Sequence, residues 1–137
     1  MKVFLDTNVL VSGFATRGLC ADLIRLVLAG HELIVGEVVL EELERALKKK
    51  IELPTDQIQE ILAFLENQTL QPRPRSIASI PVRDVDDQWV LISALAAKAD
   101  ELVTVDKDLF DVGEQVDNLT ITDSRGFWNL VKKRPGK

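Results

Sequence analysis

One cysteine, one histidine and no tyrosine stand among the 137 residues. The lone Cys20 excludes an internal disulfide and a cysteine zinc cluster, and the lone His31 has no second histidine to share a metal with. Catalysis by a serine, histidine and aspartate set loses its footing for the same reason. Cys20 opens an apolar segment, where a small buried hydrophobe is its expected role. Long apolar runs are missing too: none approaches the ~20 residues of a membrane span, and no signal-type stretch follows a basic segment at the N-terminus. A cytoplasmic protein without a membrane anchor is expected. An excess of positive charge is also absent, the formal net charge being −5. Phosphate backbones favour basic surfaces, so this counts against nucleic acid, unless several carboxylates gather in one metal site, where a divalent cation reverses the local field. The basic clusters, Lys48 to Lys50, "RPR" at Arg73 to Arg75 and the terminal "KKRPGK", are expected to be a solvated helix end, a connection and a tail.

What is present is a chain of 46% hydrophobic residues, enough for one compact domain over residues 1–137, with the last few residues a disordered basic tail. Strand-type segments alternate with helix-type segments, the pattern of an α/β domain around a mostly parallel sheet. "KVFLD", "HELIVG", "ELVTVD" and "LTITD" read as strands, short, β-branched and bounded by Gly, Asp or Asn. "CADLIRLVLAG" and "EVVLEELERALKKK" carry apolar residues at helical spacing, the second with lysines at its C-terminal end, where the helix dipole favours them. "PTDQIQEILAFLEN" reads as a helix on Ile58, Ile61, Leu62 and Leu65, with Thr55 as a candidate N-cap. Thr69 to Pro81, with three prolines, reads as an extended surface connection. "DVDDQWVLISALAAKAD" and "DSRGFWNLVKK" complete the helices.

Three of the four strands finish in an aspartate: Asp6, Asp106 and Asp123. Ligands of open parallel sheets bind beyond the carboxyl ends of the strands. Asp6 and Asp106 are therefore candidates for chemistry, as are Glu42, bordering the apolar face of its helix, and Asp87, in the first turn of the long helix. Each has a plain structural reading beside the functional one. Asp6 suits a turn or cap, Asp84 an N-cap, Asp86 and Asp87 a helix N-terminus, Asp106 the turn "DKDLF", and Glu42 a solvent face. Together they fit one rim of a parallel sheet, where a hard cation would relieve their repulsion. Oxygen ligands without histidine or cysteine suit Mg²⁺ or Mn²⁺, and such a site performs phosphodiester hydrolysis.

"LDTNVLVSG", "EEL", "RDVDDQWVLISALAAKADELVTVDKDL" and the closing β-α unit resemble, in order and over nearly the whole chain, the PIN domain family, particularly its VapC-like toxin branch. The resemblance implies a three-layer α/β/α Rossmann-like fold and a Mg²⁺- or Mn²⁺-dependent ribonuclease that cleaves single-stranded RNA. It also implies a toxin that forms homodimers and is held inactive by a cognate antitoxin. By the same resemblance the four catalytic and metal-holding acids are Asp6, Glu42, Asp87 and Asp106. Thr7 and Asn8 follow the first acid as supporting residues, and Thr104 orients a ligating carboxylate. Glu41 adjoins Glu42, and Asp84 and Asp86 compete with Asp87; Glu42 and Asp87 are preferred because they fit the motif. Asp84 and Asp108 are candidates for supporting positions.

Two other readings stand beside this one. A non-catalytic PIN fold could bind RNA or a protein, since the presence of four acids does not prove turnover. A phosphatase with an aspartate nucleophile or a phosphoaspartate receiver would also use a strand-end aspartate. The first lacks its second acid, because position 8 is Asn8, and the second lacks an acidic pair after the first strand.

Overall fold

The computed structural model describes residues 1–75, 84–113 and 116–132. The chain begins with β1 (Lys2–Leu5), α1 (Thr7–Ala15) and α2 (Leu19–Gly30), then β2 (Glu32–Gly36), α3 (Glu37–Lys49), α4 (Thr55–Glu66) and β3 (Thr69–Gln71). After α5 (Val85–Ala96) come β4 (Glu101–Val103), α6 (Lys107–Asp111), β5 (Thr120–Thr122) and α7 (Ser124–Lys132). The five strands form one sheet in the order β3-β2-β1-β4-β5, and every pairing is parallel. Val3, Phe4 and Leu5 of β1, Leu33 to Val35 of β2 and Leu102 and Val103 of β4 are buried at successive positions. Strands covered on both faces are apolar throughout rather than alternating, so the three central strands read as continuous hydrophobic runs. Right-handed crossovers put the β1-to-β3 connections on one face and the return through β4 to β5 on the other, giving an α/β/α layering.

The chain reverses its direction of winding between β1 and β4, which are neighbours in the sheet. Such a switch point leaves a crevice at the carboxyl ends of the two strands, because the connections leave them on opposite faces. Asp6 directly follows β1, and Asp106 stands three residues beyond the end of β4. Close packing holds α3 near that crevice. A Cβ on Gly36 would lie 2.6 Å from the Phe4 ring, so only glycine lets the start of α3 approach β1 this closely. Val38, Val39, Leu43 and Leu47 then bury one face of α3 and direct its other side chains outward.

Three expectations differ from the structure. The start of the proline-rich connection is an edge strand: Thr69 to Gln71 pair with Ile34 to Gly36, held by backbone hydrogen bonds that a local pattern does not encode. Residues 76–83, the rest of that connection, lie outside the described residues, as do 133–137 of the expected tail. Thr55 is the first residue of α4 rather than its N-cap; Pro54 holds the cap position and no side chain caps the helix. The turn "DKDLF" continues into α6, with Asp106 as its N-cap.

Candidate active site

At the end of β1 the Asp6 amide donates to the Val103 carbonyl of β4 at 3.0 Å, extending the ladder by one residue and fixing Asp6 at the rim. Its carboxylate does two things at once. Oδ1 accepts the Thr7 N–H at 2.7 Å, capping α1, while Oδ2 accepts the Thr104 hydroxyl at 2.7 Å. Asp6 thus caps α1 and is held at the rim of the sheet at the same time. Thr104 is fully buried, and its Oγ1 also accepts the Asp106 N–H at 3.0 Å. One threonine therefore sets the spacing of the two strand-end aspartates. Thr7 makes the corresponding link to α3, donating its hydroxyl to Glu42 Oε1 at 3.3 Å.

Helix α5 supplies the next acid. Asp84 caps it by accepting the Asp86 N–H at 2.8 Å, which leaves Asp87 in the first turn pointing into the fold, 8% exposed. An arginine braces α5 against α3. Arg73 pairs with Glu41, its backbone N–H donates to Glu37 at 3.1 Å, and its guanidinium lies 5.3 Å from the centre of the Trp89 ring. Glu41 is thereby engaged away from the cleft, which separates it from its neighbour Glu42. Across the crevice Asp106 Oδ1 accepts the Asp108 N–H at 2.9 Å, and carboxylate oxygens of Asp87, Asp106 and Asp108 lie within 4.8 Å of one another.

Asp6, Thr7, Asn8, Glu42, Asp84, Asp86, Asp87 and Asp106 line one cleft of about 370 Å³, with Arg45, Ala46, Lys49 and Lys50 completing its wall. Asp108 thus approaches Asp87 and Asp106 from beside the cleft, where it lines an adjacent surface hollow with Asp84, Val85 and Asp86, whereas Asp6 and Glu42 share the cleft itself with Asp87 and Asp106. Burial pushes the Asp87 carboxyl up to about 8, helped by a hydrogen bond with Asp106 and by the charges of Asp106, Asp84 and Asp6. Burial raises Asp6 against the opposing bonds from Thr104 and Thr7, with Asp106 adding to the rise. Glu42, half-buried, is raised by burial and then by the charge of Asp6. Asp87 Oδ2 is buried without a hydrogen-bond partner among the described residues. A buried, unpartnered carboxylate oxygen facing like charges is costly, and a hard cation removes both costs. The donor set therefore fits Mg²⁺ or Mn²⁺.

The family model of the PIN domain matches residues 2–108, from the start of β1 into α6. The chain belongs to the PIN domain family. It is thereby placed among hydrolases that act on nucleic acids. The fold is similar to that of a chain in the crystal structure of VapBC2 from Rickettsia felis bound to a DNA fragment from their promoter. The two share 20% identity and a TM-score of 0.64, over 90% of this chain and 98% of that one. No functionally curated protein matches the chain. In this PIN domain the feature that reading along the sequence missed is the basic wall of the cleft. Lys49 and Lys50 look like any helix end, and their signal is a spacing: Arg45, Ala46 and Lys49 follow Glu42 by three, four and seven residues, one helical face.

Proposed function

We propose that this PIN domain, a single unit over residues 1–137, is a Mg²⁺- or Mn²⁺-dependent endoribonuclease that hydrolyses single-stranded RNA in the cytoplasm. The observation that carries the reading is the buried, unpartnered Asp87 oxygen within a carboxylate trio at the sheet's switch point. Asp6, Asp87 and Asp106 would hold one or two ions, with Glu42 as ligand or as the group that positions the attacking water; Asp108, by its place in the trio, joins them. A bound divalent ion supplies a water of lowered pKa and neutralises charge at phosphorus.

The chain's own residues do the rest. Thr104 fixes Asp6 and Asp106 relative to each other, and Thr7 fixes Asp6 relative to Glu42, so the carboxylates keep their spacing without an ion. This preorganisation spares reorganisation during the reaction. Glu42 has a raised pKa and a half-exposed position, which suit a group that accepts a proton from water. Asp84 shapes the first turn of α5, and the exposed Asn8 lines the entrance to the cleft.

A toxin role, with a cognate antitoxin and a homodimer, is part of the same proposal. Its support is the likeness to a chain of a VapBC2 complex and the exposure of Leu70, at 42%, in a groove lined with it by Leu40, Leu62, Glu37, Glu41, Glu44 and Glu66. The test is incubation of purified protein with a pool of cellular RNAs in Mg²⁺, Mn²⁺ or chelator, with cut ends mapped by sequencing. Discrete metal-dependent cuts that vanish in Asp6→Asn are expected. Cuts that persist in Asp6→Asn or in chelator contradict the assignment, and no cuts together with no metal-induced rise in melting temperature favour a non-catalytic binding module.

A further inference from the structure

The cleft changes character along α3. Glu42 faces the carboxylates through Thr7, and the same helical face continues as Arg45, Ala46 and Lys49, with Lys50 at the C-cap, all lining the cleft. Seven residues from Glu42 to Lys49 span about 10 Å of helix axis, so Lys49 and Lys50 lie beside the acidic centre, while Arg45, less than a turn from Glu42, stands at its edge, where its charge opposes the rise of the Glu42 pKa. Pairing separates these cations from their neighbour on the helix. Lys48, outside the cleft, is tied to Glu44 at 3.0 Å, whereas Arg45, Lys49 and Lys50 form no ion pair among the described residues. Ala46 keeps the wall between them low. Lysines at a helix C-terminus also complement the dipole, but that role needs no particular face and no arginine a full turn before the end.

We propose that the Arg45, Lys49 and Lys50 face of α3 is a phosphate track, which holds the backbone of a single-stranded nucleic acid running along the helix away from the acidic centre. It rests on the nuclease reading above and adds where the substrate lies. Such contacts set position and read no sequence. A chain with a net charge of −5 thereby binds a polyanion through one local stripe, while the acidic end accepts the polyanion only where a cation intervenes.

Fluorescence anisotropy of a labelled single-stranded oligoribonucleotide of mixed sequence, on the full chain carrying Asp6→Asn, from 50 to 200 mM salt, tests the track. Each phosphate contact on a single strand contributes about 0.7 to the slope of log affinity against log salt. The combined Arg45→Ala, Lys49→Ala and Lys50→Ala variant is expected to lose about 2 from that slope, equally on single-stranded DNA of the same sequence. Lys48→Ala is expected to keep the slope, and Lys49→Arg with Lys50→Arg, which retains the charge and the helix end, to keep it as well. A slope that survives the triple substitution, a Lys48→Ala loss of equal size, or no binding by the parent protein overturns the track. Metal-dependent cleavage by the wild type with an unchanged slope sinks the track alone. A slope difference without any cleavage sinks the nuclease reading and leaves the track standing.

Discussion

The two ends of the sheet invite comparison, because both are charged and both are hollow. At the amino ends of the strands, a concavity of about 660 Å³ is lined by Met1, Lys2, His31, Glu32, Lys98 and Asp100. It is larger than the 370 Å³ cleft at the carboxyl ends. Its acids, however, are exposed and partnered: Asp100 accepts the Lys2 N–H at 2.7 Å and Glu32 accepts the Thr69 hydroxyl at 2.8 Å. At the carboxyl ends Asp6 and Asp87 are buried beside other acids, and Asp87 Oδ2 has no partner among the described residues. Volume and charge do not separate the two rims. Enforced crowding of carboxylates does, since it costs stability and is tolerated where a ligand relieves it.

Substitutions break this comparison unequally. The largest effect is expected from Asp106→Asn or Asp6→Asn, which remove a proposed ligand; metal-dependent cleavage should fall by more than about 100-fold, beyond what loss of an outer partner costs. Initial-rate assays at saturating Mn²⁺ check it. Thr104→Val removes the hydroxyl that spaces those two aspartates and should lower Mn²⁺ affinity or cleavage by about 10- to 100-fold, read by metal titration of the rate. Arg73→Ala removes a half-exposed ion pair and a cation–π contact between α3 and α5, which is expected to cost about 1 kcal/mol in urea unfolding. At the opposite rim, Asp100→Asn should change cleavage by less than about twofold. A loss there as large as at Thr104 would erase the distinction between the two ends.

Much of this was legible in order along the chain. The four strand candidates are the strands β1, β2, β4 and β5, and the periodic helices are α2, α3, α4, α5 and α7, because burial of the central strands writes continuous apolar runs and packing of the helices writes a 3.6-residue period. Asp6 is legible as the acid that follows β1, whereas Asp106, expected to finish its strand, stands three residues beyond β4, which stops at Val103, and caps α6. What was not legible depends on tertiary pairing. Three residues, "TLQ", become β3 only by binding the edge of β2, and "DKDLF" becomes α6 around a capping carboxylate that local pattern reads equally as a turn. The place of Asp108 beside Asp87 joins two segments whose closeness only the fold creates. The same holds for Lys49 and Lys50, whose helix-end spacing conceals that they face the cleft.

The crowding also has a pH signature. Asp87 is raised in the folded state from the ordinary carboxylate range to about 8, so between those values the unfolded chain releases a proton that the folded protein keeps. Without metal, the contribution of Asp87 to stability is full below the ordinary range and is lost as pH rises toward 8. Asp87→Asn should therefore raise the melting temperature of chelated protein near pH 8 and leave it little changed near pH 3. A divalent cation competes with that proton. Calorimetric titration of Mn²⁺ at pH 7.5, in two buffers of different ionisation enthalpy, counts protons released on binding. The account predicts saturable binding with net proton release, and loss of that release in Asp87→Asn. Absence of binding, or binding whose proton count is the same in Asp87→Asn, would contradict a cation site built from these carboxylates.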